Sequence, residues 1–252
     1  MTDDPAAKAR RLIACLDLTD LSDTSSQADV AALCERAVTP EGRVAAICIW
    51  PRFVAFAAER LDPAIRIATV VNFPAGEDDV AATCDETRRA VADGAHEIDL
   101  VIAHSRLPVD PGFVTAQVAA VKDACGGALL KTILETGELA DAATIRLACR
   151  AALEGGADFL KTSTGKRPVA ATPASARLLM EAAAGAGRPV GVKPAGGIRS
   201  FEDAAAYADL AEAILGPGGA TPARFRLGAS GVLADLLAVA RGERRPAAGA
   251  AY

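Results

Sequence analysis

Short apolar runs rich in β-branched residues recur along the chain at a spacing of roughly 30 residues. They are LIACLDL (12–18), VAAICIW (44–50), RIATVVNF (66–73), HEIDLVI (96–102), LLKTILET (129–136), FLKTST (159–164), VGVKPAG (190–196) and FRLGAS (225–230). Each is too short for a helix and nearly continuous in apolar character, as a strand buried on both faces should be. Between them lie Ala-rich amphipathic stretches such as 79–94, 142–156 and 172–187. Ala, Leu, Glu and Arg favour helix, and each of these stretches ends at glycine, a helix stop signal. Eight strands alternating with helices predict a parallel sheet with right-handed crossovers. In a chain of this length that pattern suits a closed (β/α)8 TIM barrel of the α/β class, with a doubly wound open sheet as the alternative. No stretch reads as an interdomain linker, so residues 1–252 are expected to form a single domain. The segment 216–222 is loop material, and 241–252 is expected to be a flexible tail.

Composition narrows the function classes. The chain has 252 residues, 51% apolar and 23% charged, with a net charge of −5. That is globular composition, and a weakly acidic chain lacks the basic field that nucleic-acid binding needs. No apolar run approaches 18 residues, and the first residues do not read as a secretory leader, so a cytoplasmic protein without a membrane segment is expected. The six cysteines (15, 34, 48, 84, 125 and 149) are dispersed without any CxxC, as reduced core thiols would be. With two histidines in the chain, no metal site is expected.

Lysine is the unusual residue. Of 27 basic residues only six are lysines, at 8, 122, 131, 161, 166 and 193. Arginine cannot be deprotonated in a protein, whereas a lysine amine can be tuned to act as nucleophile or base. Four of the six lysines fall in or just after the fifth to seventh apolar runs, and in a barrel catalytic groups sit at the C-terminal ends of strands. Lys161 and Lys193 would lie on neighbouring strands. Two ammonium groups a few ångström apart cannot both hold protons comfortably, which is one way to make an amine that attacks a carbonyl. Glu97 and Asp99, two apart, share one face of their strand, and Asp99 could shuttle protons across the barrel. The competing reading is a buried ion-pair network that only fills the barrel mouth.

A second group of residues suits an anion. TSTGK carries Gly165 and Lys166, and AGGIRS carries Gly196, Gly197 and Arg199. Ser200 with Asp203 three residues on resembles a capping box, so a helix should start there. Ser230 and Gly231 open another helix. Backbone N–H groups at such places bind phosphate, and barrels commonly place phosphate in the loops after strands seven and eight. TSTGK is not a P-loop, because the upstream glycine spacing is wrong and Arg167 follows the lysine.

Taken in order, LDLTDL, AAICIWPRFV, RIATVVNFPAG, EIDLVI, LKTILETGEL, GADFLKTSTGK, GVKPAGGIRS and RLGASG resemble the 2-deoxyribose-5-phosphate aldolase family over residues 16–231. The resemblance implies a class I aldolase on a barrel. Such an enzyme interconverts 2-deoxy-D-ribose 5-phosphate with D-glyceraldehyde 3-phosphate and acetaldehyde in deoxyribonucleotide catabolism. No metal or cofactor is implied beyond the covalent lysine imine. Carried over by motif, Lys161 would form the Schiff base, Lys193 would perturb it, and Asp99 would be the acid/base partner. Phosphate contacts would fall on Gly165, Lys166, Gly196, Gly197, Arg199 and Ser230. Asp17, Thr19 and Lys131 would hold sugar hydroxyls and a proton relay. Cys48 matches a family cysteine near the site, and Tyr252 a terminal tyrosine that assists proton transfer in some members. Gly231 departs from the pattern, because many relatives carry a second serine there. The family also implies a homodimer. Another Schiff-base lyase on the same fold, or a barrel that binds a phosphorylated ligand without turnover, stay open at this point.

Overall fold

In the computed structural model the described residues are 4–139 and 141–243. Helix α1 (Pro5–Ala14) precedes the first strand. The strands and helices then alternate: β1 (Leu16–Asp20), α2 (Gln27–Arg36), β2 (Ala46–Ile49), the short α3 (Val54–Ala58), β3 (Arg66–Val71), α4 (Val80–Ala92), β4 (Glu97–Val101) and α5 (Pro111–Ala124). The second half adds β5 (Leu129–Ile133), α6 (Ala142–Glu154), β6 (Phe159–Lys161), α7 (Pro173–Ala184), β7 (Gly191–Lys193), α8 (Phe201–Leu215), β8 (Leu227–Ala229) and α9 (Val232–Arg241). A small hairpin, Val38–Thr39 against Gly42–Arg43, sits between α2 and β2.

The strands form one parallel sheet in the order β8-β1-β2-β3-β4-β5-β6-β7. Single parallel bridges, Val192 with Phe225 and Ala195 with Gly228, join the two ends. Across this seam Arg226 N–H donates to the Val192 carbonyl at 3.0 Å and Gly228 N–H to the Pro194 carbonyl at 2.9 Å. The result is a (β/α)8 barrel, as the repeat predicts.

Two layers of burial explain the continuous apolar runs. Outward-facing residues such as Leu16, Leu18, Ile47, Ile98, Leu100, Leu130, Leu160, Val192 and Leu227 pack under the helices in one large core. Inward-facing residues alternate with them. On β2 and β3 these are Ala46, Cys48, Ala68 and Val70, a small apolar patch. On β1, β4, β5, β6 and β7 they include the charged Asp17, Glu97, Asp99, Lys131, Lys161 and Lys193, with Phe159 and Gly191 below the last two. The six cysteines are free and buried.

Local chemistry sets the helix boundaries. Asp79 caps α4, Asp141 caps α6, and capping boxes start α7 at Thr172 and Ser175 and α8 at Ser200 and Asp203. One expectation is corrected here. Leu12–Ala14 belong to α1, not to the first strand, because Asp4 caps a helix with Pro5 at its first position. A short apolar run alone does not distinguish a buried helix end from a strand. A second correction concerns the tail: α9 continues through Arg241 and ends at Gly242, which adopts φ 68°. The rest of that segment, 244–252, lies outside the described residues. Among the described residues no helix is long and apolar enough to cross a membrane.

Gly191 faces the barrel interior, where an added Cβ would come within 2.1 Å of the Phe159 ring. Overpacking a filled core costs about 2–3 kcal/mol. Gly191→Ala is therefore expected to lower the melting temperature by roughly 5–10 °C. An unchanged thermal melt would mean that the β6–β7 contact relaxes freely.

Candidate active site

Lys161 and Lys193 are register partners on β6 and β7, and Asp99 and Lys131 are partners on β4 and β5. In a parallel pair, partners point to the same face, so all four side chains enter the barrel. Lys161 and Lys193 each place Nζ 2.7 Å from the same Asp99 oxygen, Oδ2. The two amines are thereby held within hydrogen-bonding reach of a single atom. Lys193 is also 2.6 Å from Asp17 Oδ2. Lys131 takes the other side of Asp99, 2.9 Å from Oδ1, and reaches Glu97 Oε2 at 2.5 Å. Gly228, the register partner of Asp17, makes room: a Cβ there would lie 3.1 Å from Lys193 Cε.

Electrostatics separates the three lysines. Burial disfavours each ammonium. For Lys193, Asp17 and Asp99 together outweigh burial and hold the amine above its ordinary value. For Lys131, Asp99, Glu97 and Asp17 do the same. Lys161 differs. Burial and the neighbouring Lys193 charge outweigh its one carboxylate partner, Asp99, and its amine is held below the ordinary value. Asp17 and Asp99 are driven the other way, despite burial, by the lysines facing them. Lys161 is thus the amine most easily found neutral.

Lys161 also stands at the floor of a cleft of about 570 Å³ at the C-terminal mouth of the barrel. Gly165, Lys166, Gly196, Gly197, Arg199 and Ser230 all line it, as does Thr19. Gly165 and Gly196 adopt φ 77° and 82°, and this lets their backbones approach across the cleft wall. Helix α9 begins at the same wall, and no side chain caps its N-terminus. Its first N–H groups are therefore open to an anion. Lys166 is tethered at the rim, with Nζ 3.1 Å from Asp23 Oδ1.

Of the other residues singled out in the sequence, Thr19 lines the cleft, whereas Asp17, Lys131 and Cys48 do not line it. Asp17 and Lys131 are fully buried beneath it. Thr19 donates its hydroxyl to the Asp17 carbonyl at 2.8 Å. Cys48 lies in the apolar patch of β2 and β3, and burial pushes its thiol up. Trp50 donates its indole N–H to the Ser22 carbonyl at 2.9 Å, which braces the β1–α2 loop, and its ring packs edge-on to Phe73 with the Lys166 amine 5.9 Å from its centre. Tyr252 lies outside the described residues.

Two residues of the network were missed as site residues by sequence reasoning. Arg226 spans Asp17 and Glu97 at 2.7 and 2.9 Å from the lower layer of the barrel. The signal was available: an arginine inside the apolar run FRLGAS must be paired if that run is a buried strand. Glu97 was placed on the Asp99 face but given no role. Glu135, buried at φ 53°, accepts from Thr164 Oγ1 at 2.5 Å and so anchors the loop that carries Gly165.

Residues 11–235 match the family model described as DeoC/LacD family aldolase. A deoxyribose-phosphate aldolase of Agrobacterium fabrum is 49% identical over 98% of this chain and 97% of its own. Among solved structures, the tetrameric deoxyribose phosphate aldolase of Aeropyrum pernix is similar, with a TM-score of 0.75 at 28% identity, over 94% of this chain and 97% of that one. The apo form of a Toxoplasma gondii protein, provisionally assigned as a deoxyribose-phosphate aldolase, gives a TM-score of 0.85 at 28% identity, over 94% and 98%.

Proposed function

The chain belongs to the DeoC/LacD family of aldolases, and from that premise we propose that it cleaves 2-deoxy-D-ribose 5-phosphate reversibly to D-glyceraldehyde 3-phosphate and acetaldehyde through an imine on Lys161. The observation that carries this reading is the position of Lys161. Of the three lysines that touch Asp99, it alone lines the cleft, and its amine is the one depressed.

The chemistry runs as follows. The neutral Lys161 amine attacks C1 of the open-chain sugar, and the carbinolamine loses water to give a protonated imine. Asp99, in contact with Lys161 and Lys193, moves the protons directly or through water. The C3 hydroxyl gives up its proton. The C2–C3 bond breaks, and its electron pair enters the C=N⁺ system to form an enamine. C3 to C5 leave as glyceraldehyde 3-phosphate. The enamine takes a proton at C2, and water releases acetaldehyde and regenerates the amine. Lys193 stays charged throughout and keeps Lys161 from holding a proton. The phosphate sits against Gly165, Gly196, Gly197 and Ser230, with Arg199 and Lys166 supplying charge. Asp17, Thr19 and Lys131 support the proton relay and the sugar hydroxyls.

Borohydride reduces a protonated imine to a stable amine. After incubation with deoxyribose 5-phosphate and borohydride, peptide mapping is expected to find a single adduct on Lys161. An adduct on Lys193 would reverse the two roles. A folded protein that binds the sugar phosphate but traps nothing would sink the imine mechanism.

Loss of one charge-assisted contact to phosphate costs about 1.5–3 kcal/mol. Arg199→Gln is therefore expected to raise KM for the sugar phosphate by roughly 10- to 100-fold, with kcat little changed. Steady-state kinetics checks this, and an effect on kcat alone would remove Arg199 from the phosphate site. The same reading makes the enzyme a cytoplasmic homodimer of deoxyribonucleotide catabolism, acting without metal or added cofactor. Light scattering separates the dimer from the tetramer named for the Aeropyrum pernix relative, and activity should survive EDTA.

A further inference from the structure

Beneath Asp99, Arg226 and Glu97 form a second charged layer that does not line the cleft. Arg226 donates from Nη1 to Asp17 Oδ1 at 2.7 Å and from Nη2 to Glu97 Oε1 at 2.9 Å, and its Nη1 also reaches Glu97 Oε2 at 3.1 Å. Glu97 in turn holds Lys131, which holds Asp99. All of these groups are buried. The connected set contains the cations Lys131, Lys161, Lys193 and Arg226 and the anions Asp17, Glu97 and Asp99. With every group ionised it carries one surplus positive charge. Arg226 cannot release a proton, and Lys131 and Lys193 each contact two or more carboxylates. Lys161 contacts one, and shares it. The surplus is therefore relieved at Lys161.

We propose that Arg226 and Glu97 are positioning residues that set the protonation of Lys161 from below, through the charge count of the barrel interior rather than by contact with it. The inference rests on the assignment of Lys161 as the imine-forming amine. Lys161 is faced by Asp99 on β4, Lys193 on β7 and Cys48 on β2. Asp17 on β1, Glu97 on β4, Lys131 on β5 and Arg226 before β8 join it through the ion-pair network, and Asp20, Lys166 and Arg199 line the cleft with it. Glu135 is turned to Thr164. Removing the Arg226 charge leaves equal numbers of cations and anions, favours the Lys161 ammonium, and moves the onset of reactivity to higher pH. Removing the Glu97 charge leaves a larger positive surplus, disfavours the ammonium, and moves the onset to lower pH. Damage to packing would instead weaken both variants without opposite shifts.

The test uses acetaldehyde, which lacks a titrating phosphate, and follows the rate of borohydride trapping on Lys161 against pH. Arg226→Gln is expected to shift the low-pH limb upward by about one unit and Glu97→Gln downward by about one unit, the interaction of two charges roughly 10 Å apart at an effective dielectric of 20. Arg226→Lys, which keeps the charge, should stay within a few tenths of a unit of the parent. The double variant Glu97→Gln/Arg226→Gln removes a pair and avoids an uncompensated buried charge. It keeps the test open where a single variant does not fold, and its limb should lie at the parent's position. Shifts of the same sign, no shift in folded variants, or a displaced limb in the double variant would overturn the proposal. Absence of any Lys161 adduct in the parent would instead strike the imine assignment on which it rests.

Discussion

Lys161→Met is expected to abolish aldol cleavage, by a factor on the order of 10⁴ or more, while leaving a protein at least as stable as the parent. Methionine matches the reach of the lysine stem and fills the same space without the amine. The remaining buried set is then Lys131, Lys193 and Arg226 against Asp17, Glu97 and Asp99. Charges balance, and no desolvated amine is left. The sign with pH follows from linkage. The folded-state pKa of Lys161 lies below its ordinary value of 10.5, with burial the largest cause. In the window between the folded value and 10.5 the unfolded chain binds more protons, so the parent gains stability as pH rises. The penalty is fully present at pH below the folded value and vanishes above the ordinary one. Lys161→Met lacks this term, so its advantage in thermal melts should be largest toward neutral pH and should shrink toward pH 10. Residual turnover within tenfold of the parent would place the imine elsewhere. A large loss of stability would mean that Lys161 is a structural partner of Asp99 and not a strained nucleophile.

How much of this was legible beforehand depends on the kind of signal. The barrel was readable because its strands are buried on both faces and its helices are Ala-rich, so period, length and glycine stops agreed. Ser200 and Asp203 announced α8 by cap chemistry alone. Lys161, Lys193 and Asp99 stood out because a charge inside an apolar run must be explained. The same rule applied to Arg226, but arginine is common in this chain and lost its contrast. The start of the first strand was misplaced because Leu12 and Ile13 are equally at home in the last turn of a helix. The pairing pattern was not readable at all. Which carboxylate takes which lysine depends on register across five strands, and a shift by two residues would hand Lys193 a different partner. The strained backbone at Glu135 was also invisible, since nothing local requires a glutamate there to adopt φ 53°.

The pairing pattern gives the second large effect. Lys193→Met should lower activity near neutral pH by about two powers of ten, yet leave the imine on Lys161. Its ammonium and that of Lys161 share one oxygen of Asp99 at 2.7 Å each. Two unit charges about 5 Å apart at an effective dielectric of 20 repel by roughly 3 kcal/mol. Remove one, and the Lys161 proton is held more tightly. Asp17 loses its contact with Lys193 but keeps Arg226 at 2.7 Å, so no buried carboxylate is stranded. The neutral fraction of Lys161 falls, and with it the rate of attack. Raising the pH restores the neutral amine, so the deficit should narrow steadily toward pH 9 to 10. That recovery separates two roles for Lys193. A residue that only perturbs Lys161 loses its importance once the amine is neutral. A residue that itself passes a proton to or from the substrate does not, and its loss would appear as a deficit of constant size across the alkaline limb. The pH–rate profile of this one variant, read beside the position of its borohydride adduct, therefore decides whether Lys193 acts on the amine or on the substrate.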